Sequence, residues 1–170
     1  LARVLLPIVK QYEWWLRYQR RENGLYWTSG MNEADDSPRN SLMHYAASAS
    51  SYQALAALHL AMIARELHRP DLATFFDAQH RELATLVNAH FWDTAHHLYN
   101  DITQDGRFIT ELQPGVFCKH VHAFWPLIAE IVPSDRVTGL VQEITNPASF
   151  NRPSGIASLS ADSDQYNREN

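Results

Sequence analysis

Residues 27–39, WTSGMNEADDSPR, place an indole ring, three carboxylates and a guanidinium in one short stretch. Trp27 offers a flat apolar face of the kind that stacks on a sugar ring. Glu33, Asp35 and Asp36 offer carboxylates for proton transfer or for holding hydroxyl groups, and Arg39 can orient a carboxylate or lower its pKa. Carboxylates this close repel, so one of them tends to keep its proton near neutrality, as a general acid must. The same residues also have a plainer use. Asp35, Asp36 and Ser37 stand before Pro38 and a helix, where they would serve as capping residues.

Other candidates are scattered. The nine histidines show no firm metal-ligand spacing, and core or surface roles account for them. His120 and His122 would diverge on a helix and share a face on an extended chain. Trp14, Trp15, Trp92 and Phe124 read as core, and Trp125 is the aromatic best placed to reach a pocket. Asp101 either binds a hydroxyl or is simply solvated. Asp164 and Tyr166 lie in a polar C-terminal stretch with Asp162, and a solvated tail is the alternative there. Cys118 reads as a small buried residue. There is no Gly-rich phosphate loop and no nucleophile elbow.

The elements that must hold these residues are helices. Apolar side chains recur at spacings of three and four over 1–21, predicting an amphipathic helix that ends at Asn23-Gly24. Residues 41–67 are apolar nearly all round and rich in Ala, which predicts a buried helix. Pro70 opens a half-solvated helix to about residue 91, and a short extended piece follows near 97–102. Residues 116–132 read as a fourth helix kinked by Pro126 or starting near it, and 135–145 as a fifth, capped by Ser134-Asp135. From Asn146 the chain has no period. Alternating half-exposed and buried helices suit a helical solenoid or a closed barrel of helical hairpins.

Composition narrows the classes. The chain has 170 residues, 14 Lys and Arg against 19 Asp and Glu, and a net charge of −5. That length can bury one sizeable core, and a hydrophobic content of 45 % argues against disorder. A mildly acidic chain lacks the basic face that a nucleic-acid partner requires. One cysteine excludes an internal disulfide framework. No run of about 18 apolar residues suits a membrane span. The first residues read as mid-helix, without a Met or a signal-like start, so the expectation is a single domain over 1–170 that is a piece of a longer protein.

The motif W-T-S-G-M-(NEA)-D-D-S-P-R resembles the signature of glycoside hydrolase family 63, in which a Gly-apolar-Asp-(Asp/Asn)-x-Pro-Arg loop follows a Trp. QYEWWLRYQR at 11–20 resembles the helix before that loop. HAFWPLIAEIV at 122–132 resembles the family's aromatic-Pro-Leu helix, and GIASLSADSDQYN at 155–167 its Gly-x-x-(Ser/Thr)-Leu-Ser…Asp-x-x-Tyr segment. The order and spacing of the four agree over nearly the whole chain. The family includes processing α-glucosidase I and bacterial α-glucosidases, with trehalases and mannosylglycerate hydrolases as relatives.

The resemblance implies an all-α fold of helical hairpins forming part of an (α/α)6 barrel, and hydrolysis of α-linked glucosides or oligosaccharides with inversion. It carries the general acid onto Asp35, counted from Ser37-Pro38-Arg39. Three additional residues, Asn32-Glu33-Ala34, interrupt the pattern; counted from Gly30, the position falls on Asn32, which keeps Glu33 as a competing acid. Trp27, Asp36, Arg39, Trp125, Asp164 and Tyr166 become the expected substrate-binding residues. An inverting enzyme needs a second carboxylate, and the family's base Glu lies beyond residue 170. The helices found are fewer than half of those a barrel needs. The expected partners are therefore a glucoside or oligosaccharide and the remainder of the chain's own barrel, with no cofactor and no catalytic metal. The chain alone would be inactive. The competing reading is a non-catalytic helical-hairpin scaffold that binds a protein or carbohydrate partner.

Overall fold

Alanine decides where the centre of the fold lies. Helix α2 (Ala47–Glu66) buries Ala47, Ala49, Ala54, Ala57, Ala61 and Ala64, so neighbouring elements approach its backbone closely from several sides. The computed structural model describes residues 2–28, 44–113, 116–164 and 166. Among these, α1 (Ala2–Tyr18) and α3 (Pro70–His90) pack on α2, and α3 forms a helical hairpin with it through the short connection 67–69. Pro70 at the start of α3 removes an amide that would have no helical partner, and Asp71 faces the positive end of the helix dipole.

Two apolar clusters meet along α2. Leu5, Val9 and Tyr12 of α1, spaced for one helix face, close on Ala57, Leu60 and Phe76. The larger cluster gathers Leu25, Tyr26, Val87, Phe91, Leu98, Tyr99, Phe124 and Phe150. Its ring contacts include an edge-on pair of Phe124 and Phe150 at 5.1 Å. Arg20 fastens the chain after α1 to α3: its guanidinium donates to Glu82 at 2.5 Å and to the Gly24 carbonyl at 2.9 Å.

The strands are short and tie loops together. β1 (Trp27–Thr28) pairs with β2 (His44–Tyr45), β3 (Trp92–Asp93) with β4 (Leu98–Tyr99), β5 (Glu111–Gln113) with β6 (Val116–Phe117), and β7 (Asn151–Arg152) with β8 (Gly155–Ile156), all antiparallel. In the turn of the β3–β4 hairpin, Asp93 accepts from the Ala95 and His96 amides and from the His96 and Asn100 side chains. Burial works against ionisation of this carboxyl, but the bonds from His96, Ala95 and Asn100 outweigh it and hold the pKa below the usual carboxylate range.

The mostly helical reading holds, with corrections at the ends. α1 stops at Tyr18 and α2 begins at Ala47, because His44 and Tyr45 pair as a strand. The expected helix 116–132 is instead strand β6, an extended stretch, a 3-10 turn Val121–Phe124 and a single turn α4 (Trp125–Ile128). Pro126 is compatible only with the first turn of a helix, so α4 begins there. Helix α5 (Ser134–Thr145) lies where expected, although Pro133 occupies its N-cap and supplies no side-chain bond. The stretch after Asn146, aperiodic in sequence, holds the β7–β8 hairpin. No helix among the described residues is long and apolar enough to cross a membrane.

Candidate functional site

Ala46, the N-cap of α2, has no side chain to satisfy the first helical amides. Asp101, 54 residues after Ala47, supplies the missing acceptor: its Oδ1 takes the Ala47 N–H at 2.9 Å. Its Oδ2 lies 3.0 Å from His44 Nε2, which therefore carries the proton of that bond when Asp101 is ionised. Reciprocal backbone bonds of 3.0 Å between Tyr45 and Ile102 hold the two segments together. The His44 side chain is 3 % exposed and that of Asp101 13 %, so this pair is largely shielded from water. A carboxylate at this spot also suits the positive end of the α2 dipole.

His44 and Asp101 form one side of a cleft. Glu111 at the start of β5 also lines it, as does the stretch after β6. That stretch is extended at His120, where the 3-10 turn bearing His122 begins, and Cys118, His120 and His122 all line the cleft. The two imidazoles lie 6.2 Å apart between centroids. The cleft's volume is about 30 Å³, room for water. The lining mixes imidazole donors and acceptors with carboxylate acceptors, a set suited to hydroxyl groups. Among the described residues, no group of three or more His, Cys, Asp or Glu is arranged to hold a metal ion.

The residues expected from sequence fall into three groups. Glu33, Asp35, Asp36 and Arg39 lie outside the described residues. Trp27 and Trp125 make ring contacts within the protein: Trp27 meets Tyr45 edge-on at 4.8 Å under the Arg21 guanidinium, and Trp125 meets Tyr52 of α2 at 4.4 Å. Neither is among the residues lining the cleft. Asp164 accepts from the Phe117 N–H at 2.7 Å and returns its own amide to Phe117 O at 3.2 Å. Tyr166 lies under Arg152, 5.7 Å from ring centroid to guanidinium carbon.

Glu111 and His44 escaped the sequence reading, and Asp101 was read as a hydroxyl binder or a solvated surface acid. Nothing local marks Asp101, whose partners are 54 and 57 residues away. For His120 and His122 part of the signal was present: an extended chain at 118–120 puts Cys118 and His120 on one face, while His122 reaches the cleft from the 3-10 turn that follows.

A family model for the mannosylglycerate hydrolase MGH1-like glycoside hydrolase domain matches residues 1–170. Among solved structures, a chain described as "Sialidase" superposes with a TM-score of 0.77 at 16 % identity. The match covers 93 % of this chain and 14 % of that one, so this chain spans a small part of that relative's length. At that identity the likeness concerns the fold alone. No curated protein matches the sequence.

Proposed function

The chain belongs to the MGH1-like glycoside hydrolases, and on that premise we propose that it is the acid-bearing part of an (α/α)6-barrel catalytic domain. The reaction is hydrolysis of α-linked glucosides or oligosaccharides with inversion, and the remainder of the barrel supplies the catalytic base. One observation supports this reading most. Thr28 pairs with His44 across the β1–β2 ladder, and His44 lines the cleft. Thr28 and His44 are the described residues that flank the sequence stretch 29–43, which carries Glu33, Asp35, Asp36 and Arg39.

In this mechanism Asp35 gives its proton to the glycosidic oxygen as the bond from C1 to that oxygen breaks. A Glu from the later part of the barrel removes a proton from a water, whose oxygen bonds to C1 from the opposite face. The two carboxyl groups then stand roughly 6.5–9.5 Å apart to admit that water. Asp36 and Arg39 hold substrate or orient the acid, and His44, His120 and His122 meet hydroxyl groups at the cleft. Trp27, Trp125, Asp164 and Tyr166 serve the substrate surface from behind, by holding the segments that carry it.

Asp35→Asn in the full-length protein should abolish hydrolysis of an α-linked disaccharide while the circular dichroism spectrum stays that of the parent. Unchanged turnover would sink the assignment. Loss in Glu33→Gln alone would transfer the role to Glu33. Proton NMR of the first product should show the β anomer from an α-glucoside; the α anomer would exclude inversion.

A further inference from the structure

The wall of the cleft that carries the two histidines is held from behind. Along the extended stretch, Cys118 and His120 face the cleft, and Lys119, one residue out of phase, meets a later part of the chain. The Lys119 amide donates to Ser163 Oγ at 3.0 Å, and its carbonyl accepts from the Ser160 amide at 3.0 Å. The Val121 amide donates to the Ser158 carbonyl at 2.9 Å.

The Lys119 ammonium closes this arrangement. It lies 2.7 Å from Glu143 Oε1 on α5 and 2.6 Å from Asp162 Oδ2, with its side chain 14 % exposed. Ser149 Oγ donates to Glu143 Oε1 at 2.6 Å and shares a bond of 2.7 Å with Ser160 Oγ, which in turn donates to Asp162. One cation thus holds together a helix, the segment 158–164 and the stretch bearing His120. Without it, two carboxylates would share this site with only the Ser149 and Ser160 hydroxyls as donors, and their repulsion would push α5 and the segment apart.

We propose that Lys119 is a positioning residue: by gripping Glu143 and Asp162 it fixes the register of the stretch 117–122, and through it the places of His120 and His122 in the cleft. The consequence for catalysis rests on the glycosidase reading above; the geometric consequence does not. The test compares Lys119→Met, Lys119→Arg and Asp162→Asn in the full-length protein. Imidazole ring resonances of His120 and His122 are followed by NMR, with His59 on α2 as a remote reference, beside kcat and KM for maltose.

Lys119→Met should move both cleft resonances, leave His59 unmoved, and lower kcat/KM by about tenfold or more, because the displaced imidazoles lose their places against substrate hydroxyls. Lys119→Arg should restore both readouts, and Asp162→Asn should shift them in the same direction by less. A folded Lys119→Met protein with a lowered Tm but unmoved cleft resonances would overturn the proposal and leave a stabilising role only. If Lys119→Met does not fold, the half-exposed Asp162→Asn variant decides on the same resonances. If the parent hydrolyses no glycoside, the glycosidase reading fails while the resonances still decide the positioning.

Discussion

Asp93 shows how one side chain can set a hairpin. Its carboxylate is buried and accepts from two backbone amides and two side chains, which is why the chain can turn between β3 and β4 in four residues that include His97 at a φ of 53°. Asp93→Ala leaves those donors without their acceptor and should cost about 2–4 kcal/mol, measured by urea unfolding. A change below about 0.5 kcal/mol would mean that water replaces the carboxylate. Nothing in the sequence marked Asp93 as the residue that fastens this turn. Asp101 is the same case at longer range: an Asx pattern can be read locally, whereas an acceptor borrowed by a helix 54 residues earlier cannot.

At the level of elements, legibility followed periodicity. The helices α1, α2, α3 and α5 have apolar positions at helical spacing or an unbroken apolar surface, and each was recoverable to within a few residues, apart from the start of α2. Residues 116–132 failed because their apolar content imitates a helix, while Pro126 fits only the first turn of an α-helix and leaves a 3-10 turn and the single turn α4. The packing of α3 on α1 can be checked at Phe76, which is fully buried and meets Tyr12 edge-on at 5.2 Å. Phe76→Ala should cost about 3–5 kcal/mol in thermal or chemical unfolding. Gly24 has a φ of +81°, and an added Cβ would lie 2.7 Å from Leu86 Cδ1. Gly24→Ala should therefore destabilise by about 1–2 kcal/mol, and a neutral result would show that the turn after α1 relaxes.

For the molecule as a whole, the cleft is an assembly of three distant stretches, 44–47, 99–111 and 118–123, and the acidic motif visible in the sequence lies outside the described residues. Ion pairs that join such stretches make folding depend on pH. Burial opposes the charge of Lys119, but Asp162 and Glu143 outweigh it and raise the ammonium's pKa. Its contribution is complete below the unfolded value of about 10.4 and is lost as pH rises through the higher folded value. Burial likewise opposes ionisation of Asp162, and Lys119 and Ser160 outweigh it, lowering the pKa. Asp162 and Asp93 therefore stabilise above the unfolded carboxylate value of about 4, and this is lost as pH falls through their lower folded values. Tm should be flat between these limits and fall at both ends; in Lys119→Met the alkaline fall should be smaller. The central claim, that this is a glycoside hydrolase whose general acid is Asp35, is tested most directly by the leaving group. A sugar alkoxide departs only with a proton, whereas fluoride departs without full proton transfer. Asp35→Asn in the full-length protein, assayed on maltose and on α-glucosyl fluoride, should lose about 10²–10⁴-fold in kcat/KM on maltose and far less on the fluoride. Equal losses on both substrates, or no loss on maltose, would contradict it.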